Sequence, residues 1–137
     1  MEVRSHCPTN FALEHFGDKW SLLIIRDLMF KGKRHYNEFL QAEEQVSTSV
    51  LGNRLRSLQD AGLITRSADT VKKSRIRYSL TMKGIDLLPL MVDMIVWSGQ
   101  YDAATAAPAA FLEEATQNRD AMLHTLRAAL ITSHIVS

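Results

Sequence analysis

The stretch from Ser47 to Gly62 constrains this chain more than any other. Leu51, Leu55 and Leu58 recur at helical spacing and Gly62 ends the series, so the segment predicts a helix with one apolar face. Ser47 stands where a hydroxyl accepts the free amide hydrogens of a first turn, and Gly62 can take the left-handed conformation that stops a helix at Ala61. With Leu51 at the centre of the buried face, the helical rotation places Ser49, Asn53 and Arg56 on the opposite side, flanked by Thr48 and Gly52. That outer face must be solvated or bound.

The flanking segments narrow the choice. Asn10 caps a short helix to Phe16 that Gly17 ends, and Asp18 caps a second whose apolar face carries Trp20, Leu23, Ile24 and Leu28, closed by Gly32. Arg34 to Tyr36 reads as a short strand. Asn37 opens a support helix anchored by Phe39 and Leu40. After the central helix, Leu63 to Arg66 reads as a strand and Asp69 to Ser74 as a lysine-rich tip. The strand from Arg75 to Leu80 alternates, with Ile76, Tyr78 and Leu80 on one side and Arg75, Arg77 and Ser79 on the other.

Support helix, second helix and basic two-stranded hairpin, in that order, make a winged helix-turn-helix, mainly α with a small β wing. Duplex DNA is the expected ligand. The net charge is only +1, but Arg54, Arg56, Arg66, Lys72, Lys73, Arg75 and Arg77 face just Asp60 and Asp69 within the same stretch, while residues 81–137 are net acidic. Local charge, not the total, sets attraction to phosphates. On the central helix, residues 47–61, Asn53 suits adenine, Arg56 suits guanine, and Thr48 and Ser49 suit base or phosphate, with Gly52 permitting close approach. Arg54 lies on the flank, toward a phosphate or Glu38. In the wing, residues 66–77, Lys72, Lys73 and Arg75 are expected on phosphates or in the adjacent minor groove, with Lys33 and Arg34 as weaker phosphate contacts.

Thr81 is expected to cap a long helix reaching Tyr101 through Leu87, Leu88, Met91, Ile95 and Trp97, kinked at Pro89 because an interior proline costs about 3 kcal/mol. Ala103 to Ala107 reads as a linker. Pro108 starts an amphipathic helix carrying Phe111, Leu112, Ala115, Met122, Leu126, Ala129 and Leu130 toward His134. Two such helices exceed what a small winged domain covers, so a second copy of the chain is the expected cover; the alternative is that they fold back on their own scaffold. Residues 1–102 then form the DNA-binding domain with dimerisation helices, and residues 103–137 an additional C-terminal helix.

An apolar share of 46% and a charged share of 23% suit a globular protein, and no apolar stretch is long enough for a bilayer. MEVRSHCPTN lacks the apolar core of a signal peptide, so a cytoplasmic location is expected. One cysteine, Cys7, rules out an intrachain disulfide framework, and the histidines at 6, 15, 35, 124 and 134 show no metal-ligand spacing. No cofactor is implied. Glu43-Glu44 and Glu113-Glu114 are adjacent surface pairs without a motif, so an enzyme is not expected.

Cys7-Pro8, Gly17-Asp18-Lys19-Trp20, Arg34-His35-Tyr36-Asn37-Glu38, Leu55 to Leu63 and Tyr78 to Gly84 stand in an order that resembles the HxlR-type regulators, a branch of bacterial winged-helix proteins related to MarR. The resemblance runs from residue 7 to about residue 101. It implies a dimeric transcription factor, usually a repressor, reading a pseudo-palindromic operator with one recognition helix per half-site, about one DNA turn apart. In some members an N-terminal cysteine senses electrophiles or oxidants, and Cys7 takes that place, with Arg4, His6 and a nearby helix start to lower its pKa. Oxidation of a lone cysteine gives an intersubunit disulfide, a mixed disulfide or a sulfenic acid; the alternative is an unreactive packed thiol. A second candidate switch is a small aromatic or hydrophobic effector bound between the dimer helices and the winged core, near Phe16, Trp20, Trp97 and Tyr101, against a plain core role for these rings. A rival to the whole reading is a winged domain used for protein interaction, since fold does not fix function.

Overall fold

Ser47 and Gly62 bound the central helix as its sequence predicts. In the computed structural model, which describes residues 3–136, the chain falls into two compact units, one up to Thr81 and one from Met82. The first contains α1 (Pro8–Phe16), α2 (Ser21–Phe30), α3 (Tyr36–Leu40), α4 (Thr48–Asp60), β1 (Ile64–Ala68) and β2 (Ile76–Leu80). It is a winged helix-turn-helix.

The Ser47 hydroxyl accepts from the Val50 amide at 3.3 Å. At the other end Gly62, at φ +75°, donates to the Gln59 carbonyl (2.9 Å), and Leu63 donates to the Leu58 carbonyl (3.0 Å). This pair of bonds is a Schellman stop, and it needs the left-handed glycine. Between the caps, Leu51, Leu55 and Leu58 are buried with Ile25 and Leu28 of α2, Phe39 of α3 and Leu63, Ile64, Tyr78 and Leu80 of the wing base. Phe39 and Tyr78 meet edge to face at 6.0 Å.

Three local expectations are corrected here. Helix α1 begins at Pro8 with Cys7 as its N-cap, not at Asn10, whose side chain instead holds Arg4 and Glu14. Gly17 ends α1 in a right-handed conformation (φ −78°); it is required because a Cβ there would strike the Leu13 carbonyl oxygen. No third strand forms at Arg34 to Tyr36. A single bond, Tyr78 amide to Arg34 carbonyl at 2.8 Å, remains of it, because the capping box of His35 and Glu38 turns the chain into α3 at Tyr36. The sheet is therefore two-stranded and antiparallel, running from Ile64 opposite Leu80 to Ala68 opposite Ile76. Asp18 acts as expected, its carboxylate accepting from the Trp20 and Ser21 amides (both 2.9 Å) and the Ser21 hydroxyl (2.6 Å).

The second unit contains α5 (Met82–Ile85), α6 (Leu88–Tyr101), α7 (Ala109–Gln117), α8 (Arg119–Ile131) and a closing π-helical turn, Thr132–Val136. The long kinked helix expected from Thr81 does not form. It breaks after Ile85, and Pro89 falls in the first turn of α6, where a missing amide hydrogen leaves no bond unmade. Likewise the helix expected from Pro108 to His134 divides at Asn118, whose backbone (φ −131°, ψ 43°) is not helical. Arg119 bonds Asp93 on α6 at 3.0 Å, Arg127 bonds Asp86 at 2.6 Å, and Leu112 of α7 packs over Gly99 of α6. Residues 82–101, grouped from sequence with the winged part, thus pack with α7 and α8. Among the described residues no helix is long and apolar enough to cross a membrane.

Candidate nucleic-acid interface

Burial of the leucine face turns Thr48, Ser49, Asn53 and Arg56 outward, all exposed, with Gly52 half-buried among them. A Cβ at Gly52 would meet only the Arg56 guanidinium, at 3.7 Å, so the surface over this turn is open. Arg54 is fixed on the flank. Its guanidinium lies 3.5 Å from Asp18, and its Nε donates to the Asn53 side-chain oxygen at 3.1 Å; it does not pair with Glu38. The oxygen that would accept from adenine is therefore engaged by the neighbouring arginine. The start of α4 is held by the Tyr36 hydroxyl, which donates to the Thr48 carbonyl at 2.9 Å.

Glu38, its side chain 43% exposed, bends back over the start of α3. Its Oε1 accepts from the amides of Arg34 and His35 (both 3.0 Å) and from His35 Nδ1 (2.6 Å). Burial pushes this carboxyl up, but the Arg34 amide and the His35 ring outweigh it and leave it below the usual carboxylate range. Arg34 is not displayed toward a phosphate. Its Nε donates to the Tyr78 carbonyl (2.7 Å) and its Nη2 to the Ser79 hydroxyl (2.6 Å), tying the chain before α3 to β2. Burial, then the nearby Arg77 charge, pulls its pKa down.

The wing turn is built around Asp69, which the sequence reading treated only as a charge opposing the basic run. Asp69 is 5% exposed. Its Oδ1 faces His35 Nε2 at 2.9 Å, and its Oδ2 accepts from the amides of Val71 (3.2 Å) and Lys72 (2.9 Å) and from Arg75 Nη2 (3.0 Å). Chiefly through His35, and next through the Lys72 amide, these bonds hold its carboxyl far below the usual range against the cost of burial. An aspartate two and three residues ahead of the amides it caps is an Asx turn, and that spacing was the available signal. Arg75 is thus bound within the wing. Lys72 and Lys73 are exposed at the tip beside Val71, itself 89% exposed, and among the described residues neither ammonium forms an ion pair.

Cys7 is exposed at the start of α1. The thiol is pulled below its ordinary pKa by the Asn10 amide, then the Thr9 amide and the Thr9 hydroxyl at the helix start, and not by Arg4 or His6. The first unit holds a cavity of about 10 Å³ lined by Trp20, Leu23, Ile24, Asp27, Phe39, Ala42, Glu44 and Val46. That is roughly the space of one water. Among the described residues no cluster of His, Cys, Asp and Glu fits a metal ion.

Residues 15–106 match the HxlR-like helix-turn-helix family. The chain belongs to this family. It is similar to an uncharacterised HTH-type transcriptional regulator of Synechocystis sp., sll1512, at 36% identity over 94 residues, 69% of each chain. Among solved structures it is similar to PA1607, a candidate transcription factor, with TM-score 0.67 and 32% identity over 77% of this chain and 72% of the other. It is also similar to the redox regulator HypR in its oxidised form, with TM-score 0.63 and 28% identity over 72% of this chain and all of the other. The HxlR-like protein described here is a transcriptional regulator of the helix-turn-helix type, not an enzyme.

Because the folded pKa of Asp69 is depressed, the bonds it makes are complete above the ordinary carboxylate range and are lost as pH falls through the folded value. The melting temperature of the wild-type protein should therefore fall more steeply on acidification than that of Asp69→Asn, measured by circular dichroism from neutral pH downward. Equal slopes would show that the carboxylate does not hold the wing.

Proposed function

We propose that this regulator is a homodimer that reads a pseudo-palindromic operator, with one α4 in the major groove of each half-site, and represses the gene it covers. The observation that carries this reading is the outward face of α4: Ser49, Asn53 and Arg56 exposed behind a fully buried leucine face, accompanied by the exposed tip lysines 72 and 73. Asn53 and Arg56 read bases, Thr48 and Ser49 contact bases or phosphates, and Gly52 lets the helix approach. Lys72 and Lys73 take phosphates or the adjacent minor groove. Arg54 orients Asn53, while Arg75 and Arg34 hold the wing and contribute to the field rather than to contacts. Such a protein works in the cytoplasm, beside the chromosome.

Dimerisation is assigned to α6, where Leu90, Met94, Trp97 and Tyr101 form one stripe at helical spacing and are 39%, 44%, 65% and 74% exposed. Trp97 and Tyr101 already stack on each other at 5.4 Å. The two-fold symmetry of such a dimer, as in other helix-turn-helix regulators, would set the half-sites about one DNA turn apart.

A second reading concerns control. The exposed, acidified Cys7 thiol, together with similarity to a redox regulator, supports sensing of an oxidant or electrophile at this residue. In that case oxidant should weaken DNA binding by the wild-type protein and leave Cys7→Ser unaffected, as followed by fluorescence anisotropy; an equal response in both would end the redox reading.

The first assay is anisotropy on the upstream intergenic DNA against scrambled DNA at two salt concentrations. Asn53→Ala and Arg56→Ala should each lose about 1–3 kcal/mol of discrimination. Lys72→Glu with Lys73→Glu should weaken binding to both DNAs and lower the salt slope by roughly two. No effect from either pair would leave a protein-interaction domain as the better reading. Trp97→Asp should shift the protein from dimer to monomer in sedimentation equilibrium, and an unchanged mass would move the interface off α6.

A further inference from the structure

His35 is 16% exposed at the N-cap of α3, and both of its ring nitrogens face carboxylate oxygens. Nδ1 lies 2.6 Å from Glu38 Oε1 and Nε2 lies 2.9 Å from Asp69 Oδ1. An ionised carboxylate only accepts, so each nitrogen has to donate, and only the imidazolium carries two N–H groups. The charged ring is then one cation between two anions, with Arg75 on the second oxygen of Asp69 closing the balance at 3.0 Å. The far ends of the cluster are backbone. Glu38 accepts the amides that begin α3, and Asp69 accepts the Val71 and Lys72 amides that shape the turn carrying both tip lysines.

We propose that His35 is a positioning residue for the DNA-binding wing, its protonated ring clamping the wing turn to the support helix so that the hold on DNA depends on pH. The proposal rests on the DNA-binding reading above. Removing the ring proton leaves a nitrogen lone pair against a carboxylate oxygen at under 3 Å, the closest approach with the wrong sign. It also leaves one more negative charge at the base of a wing that approaches phosphates. The charged groups that face the ring are Glu38 from α3 and Asp69 from the wing turn; Arg75 reaches it only through Asp69, and Arg34 meets Glu38 by its backbone amide. None of these can supply the missing donor. Lys72 and Lys73 then lose their preset position and contact phosphates at a greater ordering cost.

The test uses the full chain and two readouts. Without DNA, the protection of the Val71 and Lys72 amides from hydrogen exchange, corrected for intrinsic base catalysis, is followed from about pH 5 to about pH 8, the range in which an imidazole ordinarily changes charge. With a duplex of the upstream intergenic sequence, affinity is followed over the same range. Wild-type protection should fall toward alkaline pH, and affinity should fall about tenfold, the effect of losing one charge-assisted bond from the clamp. His35→Arg, which keeps several donors and a charge that cannot be removed, should keep the acid-side protection and affinity throughout. His35→Gln should be weak at every pH and flat, with melting temperatures confirming that each variant is folded. Protection that ignores both pH and substitution overturns the clamp. Protection that responds as expected, in a protein that binds no duplex at any pH, supports the clamp and overturns the DNA reading on which its pH-dependent role rests.

Discussion

Burial of Leu51, Leu55 and Leu58 fixes the rotation of α4 about its own axis, and the rest of the interface depends on that rotation. The Tyr36 bond to the Thr48 carbonyl and the Arg54 ion pair with Asp18 follow from that choice of side. Once three leucines are committed to the core with Ile25, Leu28 and Phe39, the residues between them are presented outward by geometry alone. Placing a polar residue at any of the three would lose core packing and loosen the aim of Asn53 and Arg56 together. Stability and the presentation of the outer face are therefore coupled through the same thirteen-residue helix.

Charge in the first unit is arranged by the same logic. Asp27, 2% exposed, is met by Arg26 at 2.8 Å and Lys33 at 3.4 Å, and Glu44 takes the other side of Arg26 at 2.7 Å. Arg75 is met by Asp69 and Arg54 by Asp18. Buried or half-buried ions cost too much to leave alone, so those cations that pack also pair. Lys72 and Lys73 stand outside this pairing because they sit at the end of a turn, where solvent screens them and a phosphate could replace it. The difference between structural and displayed cations is thus one of position in the wing, not of residue type.

Much of this was legible in the sequence. The helical leucine spacing, the Ser47 cap, the Gly62 stop and the alternation of Ile76, Tyr78 and Leu80 each signal one local structure, and all four were realised. The failures share a cause, competition between signals over a few residues. Pro89 reads equally as a kink inside one helix or the first turn of another, and only packing of α6 with α7 and α8 decides. Asn118 lies within an unbroken amphipathic pattern, so periodicity hid the break. For Arg34, Arg54 and Arg75 the sequence shows a charge and not its partner; the acceptors on Tyr78, Asn53 and Asp69 are distant in the chain or adjacent in a way no pattern marks. The His35 bridge to Asp69 spans 34 residues and left no trace in local spacing.

The stop at Gly62 leads straight into Leu63 and β1, with no slack between helix and wing. Adding or deleting one residue anywhere between Ser47 and Gly62 would turn the exit of the chain by about 100° and shift it by about 1.5 Å. The wing would then leave in another direction, or the leucines would leave the core. This segment can drift widely in identity on its exposed outer face, but its length is locked; insertions are tolerable only where the chain already runs as loop, before Ser47 or at the wing tip.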